Sequence, residues 1–386
     1  MKKGWEIKTL NQVADNLDSK RIPITKSIRS EGTIPYYGAS GIVDYVEDYL
    51  FDEDLLCVSE DGANLLARTY PIAFPITGKT WVNNHSHVLR FRNSDTQKFV
   101  EFYLNSIKLD DFISGMAQPK LNQSMLNKIP IPLPPLPEQQ RIVAILDEAF
   151  AAIAKAKSNA QQNLKNAKEL FESYLQGVFE NKGEGWEEKT LGEIADVEYG
   201  YTDKSTEEGD YRYVRITDID KNGELVLEDK KYIKYSKEAE GFLIQNNDLL
   251  MARTGATFAK VLLFNGDEPS VFASYLIRIK FKKKIENALY WHFTKTKNYW
   301  EQANSLQSGA AQPHFNGAAV KQVVFAYPKS VKEQKVLIAK FEELSIETKK
   351  LESIYQQKIN DLEELKKSIL QKAFSGELKT IKEELA

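Results

Sequence analysis

Gly4-Trp5-Glu6-Ile7-Lys8-Thr9-Leu10-Asn11-Gln12-Val13-Ala14-Asp15 returns 181 residues later as Gly185-Trp186-Glu187-Glu188-Lys189-Thr190-Leu191-Gly192-Glu193-Ile194-Ala195-Asp196, with eight of twelve positions identical. Three further echoes keep the same order. Ser114-Gly115-Met116-Ala117-Gln118-Pro119-Lys120-Leu121-Asn122 returns as Ser308-Gly309-Ala310-Ala311-Gln312-Pro313-His314-Phe315-Asn316. Glu138-Gln139-Gln140 returns as Glu333-Gln334-Lys335. Leu170, Ser173, Leu175, Gln176 and Phe179 return as Leu365, Ser368, Leu370, Gln371 and Phe374. A period of about 190 residues is too long for a solenoid repeat and suits a duplicated domain with its connector.

Each copy has two parts. The first is a series of short apolar runs such as Leu55-Leu56-Cys57-Val58, His87-Val88-Leu89-Arg90-Phe91 and Tyr275-Leu276-Ile277-Arg278-Ile279. Clusters such as Asp61-Gly62-Ala63-Asn64 and Lys221-Asn222-Gly223 separate them, so strands and turns are predicted. The middles, roughly 20–110 and 200–305, scarcely match between the copies. The second part is a long helix. Pro137 suits a first helical turn, and Glu138 suits the positive end of the helix dipole. Ile142, Leu146, Ala149, Ile153, Ala156, Ala160, Leu164, Ala167, Phe171, Tyr174 and Val178 then recur at steps of three and four. In the second copy Ser330 and Glu333 have capping-box spacing, and Leu337, Phe341, Leu344, Leu351, Tyr355, Ile359, Leu362, Leu365 and Ile369 keep the same rhythm. About 40 residues of helix make a rod of roughly 60 Å, and a stripe that long argues a coiled coil. Leu344, Leu351 and Leu362 are expected to face the Ala and Leu positions of 142–178. The alternative is two helices that each pack only on their own domain.

The expected fold is therefore α+β: two mixed α/β domains in a pseudo-two-fold repeat, separated by two long antiparallel helices forming a coiled coil. The segments are 1–137, 138–180, 181–332 and 333–380. The chain has 386 residues, and 42% hydrophobic with 28% charged residues is ordinary for a globular protein. No apolar run approaches a membrane span, and Met1-Lys2-Lys3-Gly4 is followed by no apolar stretch that would make a signal peptide. One cysteine, Cys57, excludes an internal disulfide and multi-cysteine zinc sites, and a cytoplasmic location is expected.

No catalytic constellation emerges. Ala73-Phe74-Pro75-Ile76-Thr77-Gly78-Lys79-Thr80 fits a phosphate loop only loosely, because Ala73 replaces the first glycine, Pro75 removes a donor and the residues that follow read as strand. His85 and His87 are two apart, as metal ligands on a strand would be, but His292 and His314 are isolated, and a polar strand or a DNA contact is the simpler reading. The net charge of −3, spread evenly, argues against a phosphate-gripping basic coat. What remains are polar, basic and aromatic side chains in the divergent middles, of the types that read base edges and hold a nucleic-acid backbone. They are Lys20, Arg21, Tyr36, Tyr37, Arg68, Lys79, Asn83, Asn84, His85 and His87 in the first copy. In the second they are Tyr201, Lys204, Arg212, Arg215, Arg253, Thr254, Lys260, Ser274 and Tyr275.

Ile131-Pro132-Leu133-Pro134-Pro135-Leu136-Pro137-Glu138-Gln139-Gln140-Arg141-Ile142-Val143 resembles the stretch that opens a long helix in specificity subunits of Type I restriction–modification systems. The two Trp-Glu-x-Lys-Thr-Leu blocks, the Gly-x-x-Gln-Pro blocks at Gly115 and Gly309, and Arg253-Thr254-Gly255-Ala256 resemble the same family. Tyr327-Pro328-Lys329-Ser330 departs from it by lacking the proline run. The resemblance implies two target-recognition domains, 1–137 and 181–332, each reading half of a split double-stranded DNA target. Helices 138–180 and 333–380 would be the spacer and dock, with Gln139, Arg141, Gln334 and Lys335 meeting partners. It further implies no catalysis and no cofactor in this chain. Two methyltransferase subunits and restriction/translocase subunits would supply S-adenosylmethionine, ATP and Mg chemistry, and the methylated base would be adenine, flipped from the duplex. Around an approximate two-fold axis, half-site centres about one helical turn of DNA apart, ~34 Å, are expected. A coiled-coil protein-interaction scaffold without DNA readout is the alternative from another class.

Overall fold

The computed structural model describes residues 4–115, 117–309 and 314–378, with Ala256 described by its backbone alone. Met116, residues 310–313 of the second Gln-Pro block and positions 379–380 of the expected second helix lie outside the described residues. The chain forms two compact units. One takes the chain up to residue 160 together with the chain from 357 onward; the other is 161–356. Each unit therefore holds one mixed domain and a piece of both long helices.

In the first unit, strand Glu6–Thr9 pairs antiparallel with Pro130–Leu133, the strand that leads into the long helix. The repeated motif explains this frame. Thr9 caps a four-residue helix in a capping box with Gln12, and Leu10, fully buried, donates its N–H to the Ile129 carbonyl at 3.0 Å. Trp5 and Ala14 are buried in the same core. Two four-stranded sheets follow. In one the order is Asp15–Asn16, Ser86–Arg90, Leu55–Ser59, Ala73–Ile76, all antiparallel. In the other it is Gly41–Val46, Glu31–Gly38, Lys79–Val82, Phe51–Asp52, with the central pair parallel.

The second unit repeats every one of these pairings. Trp186–Thr190 pairs with Val324–Pro328, Thr190 forms a capping box with Glu193, and Leu191 donates to the Val323 carbonyl at 2.9 Å. Its antiparallel sheet runs Ala195–Tyr199, Leu276–Phe281, Leu249–Ala252, Val261–Leu263. Its mixed sheet runs Tyr232–Ile233, Tyr211–Val214, Ser270–Phe272, Leu243–Ile244, again with a parallel centre. The middles that share almost no sequence share one topology.

The long helices span Leu136–Glu180 and Val331–Ser375, 45 residues each. Gly177 does not stop the first. Gly376 ends the second with φ of +79°, the left-handed conformation glycine supplies at a helix C-terminus. Within the first unit the helices run antiparallel: Lys366 covers the Phe150 ring at 5.0 Å, and Lys157 pairs with Glu363. Ile142, Val143, Leu146, Ala373 and Leu378 join the core of that unit. In the second unit Leu175, Phe179 and Phe341 do the same. Leu146, Ile153, Ala160 and Ala167 are buried at a strict seven-residue interval, the period of a left-handed coiled coil. Leu351 departs from expectation: it is 36% exposed, and in the second unit Phe341 and Thr348 are the fully buried positions of this helix beyond Gln334. The three–four rhythm placed Leu351 on the stripe, but a narrow seam leaves its flank in solvent.

His292 is buried against Phe171, Phe341 and Trp291, and its Nδ1 has no hydrogen-bond partner among the described residues. Burial, then the nearby Lys295 charge, pushes its pKa from 6.5 down to about 3. Below pH 6.5 the unfolded chain takes up a proton that the folded chain refuses until about pH 3, so this unit loses stability as pH falls through that window. His292→Phe removes both the unpartnered nitrogen and this proton uptake. Equilibrium unfolding at several pH values is expected to show an equal or more stable variant with a flatter pH dependence between 6.5 and 3.

Candidate functional site

The duplicated topology brings three segments together at the same end of the antiparallel sheet in each unit. In the first unit these are the residues after strand Leu55–Ser59, those before strand Ser86–Arg90, and the Gln-Pro block. Glu60 N–H donates to the His85 carbonyl at 2.9 Å, and Leu121 N–H donates to the Glu60 carbonyl at 2.7 Å. Ser114 and Lys120 exchange backbone bonds at 2.9 and 2.8 Å. In the second unit Arg253 donates to the Tyr275 carbonyl at 3.1 Å, Phe315 donates to Arg253 at 2.8 Å, and Ser308 and His314 exchange bonds at 3.0 and 2.8 Å. Single bridges Asp61–Lys120 and Thr254–His314 complete the correspondence. Asn122 and Asn316 then each cap the helix that follows. Gly115 and Gly309, with φ of +83° and +95°, turn the chain at matching points, and a Cβ on Gly115 would lie 2.5 Å from the Gln118 carbonyl oxygen.

One backbone frame thus presents two chemistries. Glu60 stands where Arg253 stands, Asp61 opposite Thr254, His85 opposite Tyr275 and Lys120 opposite His314. In the first unit the edge is carboxylate-rich and internally paired. Glu60 takes Arg21 at 2.7 Å and Lys120 at 3.2 Å, and His85 Nδ1 lies 2.8 Å from Asp61. In the second the edge is cationic and aromatic. The Arg253 guanidinium lies over Tyr199 at 5.0 Å, donates only at 3.3 Å to the Ser274 carbonyl, and meets no carboxylate among the described residues. Tyr275 is 58% exposed.

The sequence-derived candidates divide sharply. Asn84, His85, Arg253, Thr254, Ser274 and Tyr275 lie on these edges, with Thr254 buried and Asn83 buried behind them, its side chain accepting the His85 N–H at 2.8 Å. Lys20, Lys79 and Lys204 are exposed, Lys79 over the Tyr49 ring at 4.6 Å. Others are committed to the scaffold. Tyr36 is buried, its hydroxyl bonded to the Ile24 backbone, and Tyr37 stacks on Phe74. Arg68, in the left-handed region at φ of 53°, donates to the carbonyls of Leu104 and Ile107 at the end of helix Ser94–Ser106. Tyr201 packs on Phe242, Arg212 is buried against the Val226 carbonyl, and Arg215 is locked to Asp218 at 2.8 Å. Lys260 lines a cavity in the second unit. Gln139 and Gln334 are buried clasps: their amide nitrogens donate to the Pro134 and Pro328 carbonyls at 2.7 and 2.8 Å, fixing helix to strand. Arg141 is bonded to Glu138 and to the Leu378 carbonyl, whereas Lys335 is exposed and 3.6 Å from Glu286. Glu60, Asp61, Lys120, Tyr199 and His314 escaped the sequence reading. Aligning the two Gln-Pro blocks, which sets Lys120 against His314, carried the signal for two of them.

His87 is fully buried rather than sharing a face with His85. Its Nε2–H donates to the Leu121 carbonyl at 2.7 Å, and its Nδ1 lies 2.5 Å from Asp18. Asp18, Glu60 and His87 bring donor atoms within metal-ligand spacing of one another. The cluster is already balanced by Arg21, which meets both carboxylates, and by Lys120, so it reads as an ion-pair network. Burial works to raise the Asp18 pKa, but the His87 contact, the Val88 N–H and Arg21 together hold it below 3.8. Its contribution is present above 3.8 and is lost as pH falls below that value. Asp18→Asn is expected to cost about 3–5 kcal/mol at neutral pH by breaking a buried pair, and to flatten the acid limb in chemical unfolding. The loose phosphate-loop stretch is two strands joined at Thr77-Gly78, with no helix to receive a phosphate.

Comparisons with known proteins agree with this architecture. The family model described as the type I restriction modification DNA specificity domain matches residues 2–165 and again 183–364. A Haemophilus influenzae protein that carries the name of a type I restriction enzyme specificity subunit is 27% identical over 350 residues, 88% of each chain. Among solved structures, a chain from work on the assembly and conformational transition of the type I R-M system superposes with a TM-score of 0.73 at 16% identity, over 98% of this chain and 99% of its own. The HsdS subunit of Thermoanaerobacter tengcongensis gives 0.64 at 16% identity over 98% of both chains. The chain belongs to the type I restriction–modification DNA specificity family, carries two copies of its domain, and is a recognition subunit without catalytic activity of its own.

Proposed function

We propose that the chain reads a bipartite double-stranded DNA target, one half-site per recognition domain, and directs partner adenine-N6 methyltransferase and restriction subunits to it. The observation that supports this most is the pair of equivalent edges with opposite chemistry. Arg, Lys and His donors and carboxylate acceptors match different base edges in the major groove, so Asp61, His85 and Lys120 on one frame, with Glu60 held behind them by Arg21, and Arg253, Tyr275 and His314 on the other would select different half-sites. Segments 1–137 and 181–332 are the recognition domains in this reading, and the helices of 138–180 and 333–380 are the spacer and the dock. Two methyltransferase subunits bring S-adenosylmethionine, and restriction/translocase subunits bring ATP and Mg. Base readout in this chain, with much phosphate grip supplied by partners, fits a net charge of −3. The cytoplasm is the expected place of work, and no helix among the described residues is long and apolar enough to cross a membrane.

The purified chain is expected to transfer no methyl group, and adding its cognate methyltransferase should give adenine methylation at one split sequence. Methylation-sensitive sequencing of plasmid DNA treated with chain, methyltransferase or both is the measurement. Methyl transfer by this chain alone, or methylation without sequence preference by the pair, would overturn the reading.

A further inference from the structure

The second unit contains a half-open cavity of about 510 Å³, walled by both long helices, the 221–224 turn and the end of helix Asn287–Phe293. Five lysines line it: Lys168, Lys221, Lys260, Lys295 and Lys349. Three acids line it as well, leaving two positive charges in surplus. Glu224 is taken by Lys349 at 3.2 Å; the other two, Glu172 and Glu352, come from the long helices. Lys168, Lys221, Lys260 and Lys295 have no carboxylate partner among the described residues. Lys295 is the least explained. It is half-buried, with its ammonium 3.1 Å above the Trp291 ring. A ring face serves only one side of an ammonium that carries three donors, and among the described residues no hydrogen-bond acceptor meets the others.

We propose that this cavity binds a phosphate group. A phosphate offers several acceptor oxygens and up to two negative charges, which matches the surplus charge and the unpartnered ammoniums, and lysine serves phosphate as a point charge. The volume is that of a small-molecule site. The phosphate can come from a free oligophosphate or from the DNA backbone. The second source is sterically natural, because Lys260 lies opposite Ala252, the residue before Arg253 on the candidate edge. The assignment does not depend on which bases the chain reads.

The test is competitive acylation of the full chain near pH 8, followed by peptide mass spectrometry. Burial pulls the Lys295 pKa down to about 8, so it should react ahead of exposed lysines such as Lys155 and Lys332. Pyrophosphate is expected to slow acylation of Lys295 and Lys260 about tenfold, with Lys155 and Lys332 unchanged, and to shift tryptophan fluorescence through Trp291. Lys295→Met, which keeps the apolar stem on the ring, should abolish the fluorescence shift, and Lys260→Gln should weaken it. Protection by a duplex of unrelated sequence but not by pyrophosphate would assign the site to backbone phosphate. Protection by neither, or only by an acidic peptide such as oligoglutamate, overturns the proposal.

Discussion

Replacing residues 16–122 by the matching stretch of another family member is expected to rewrite one half of the methylated sequence and leave the other half intact. The stretch holds both sheets of the first unit, except Asp15 of the edge strand Asp15–Asn16, and helix Ser94–Ser106. It leaves the frame pair Glu6–Thr9 with Pro130–Leu133 in place. The exchange has to reach residue 122. A boundary near 110, where the divergent middle ends in the sequence, would leave the host's Lys120 opposite the donor's residue 61 and mix two edges. Each wrong base pair in a half-site typically costs about 1–3 kcal/mol, so a mixed edge would lower activity on both parental sequences, whereas a complete exchange should transfer the donor's preference whole. Methylome sequencing of cells carrying each chimera distinguishes the two. If the complete exchange altered both halves, the edges would not be independent readers, and modular recognition would have to be given up.

The frame was legible because its residues do one job each in both copies. Thr9 and Thr190 cap, Leu10 and Leu191 fill the core, and Gln139 and Gln334 clasp a helix to a strand. Identity survives where a side chain has a single partner geometry. The two middles hid their common topology because a sheet requires only alternation and volume. Leu56 and Leu250 occupy matching strands beside neighbours that share no pattern at the level of single residues. The edges were half legible. Arg21, Arg68, Arg212 and Arg215 have the chemistry of DNA contacts, yet the same donors satisfy buried carbonyls and carboxylates, and composition cannot tell the two uses apart. Glu60 and Asp61 carry no such signal in the sequence, because a carboxylate is repelled by the phosphates of a nucleic acid. Only the backbone correspondence with Arg253 and Thr254 shows that an acid can hold the same station.

Phe341→Ala is expected to cost about 3–5 kcal/mol, and Leu351→Glu, one helix face away, under about 1 kcal/mol. Phe341 has no exposed surface and packs against Phe179 at 6.0 Å, Tyr174 at 6.1 Å and His292 at 4.9 Å, so truncation leaves a cavity that these three rigid rings cannot collapse to fill. Leu351 is 36% exposed, so a glutamate there keeps its charge hydrated and loses only part of a leucine's burial. The sequence stripe ranks the two positions alike, and the structure separates them. Urea unfolding of both variants reads the difference directly: Phe341→Ala should shift the midpoint far downward with little change in slope, and Leu351→Glu should move it little. Equal losses would mean that the flank bearing Leu351 is covered in the folded chain, and the seam would have to be widened to include it. If Leu351→Glu instead melts like the wild type but fails to assemble with its methyltransferase, the same exposed flank is a partner surface, which is why both stability and assembly have to be measured on that one variant.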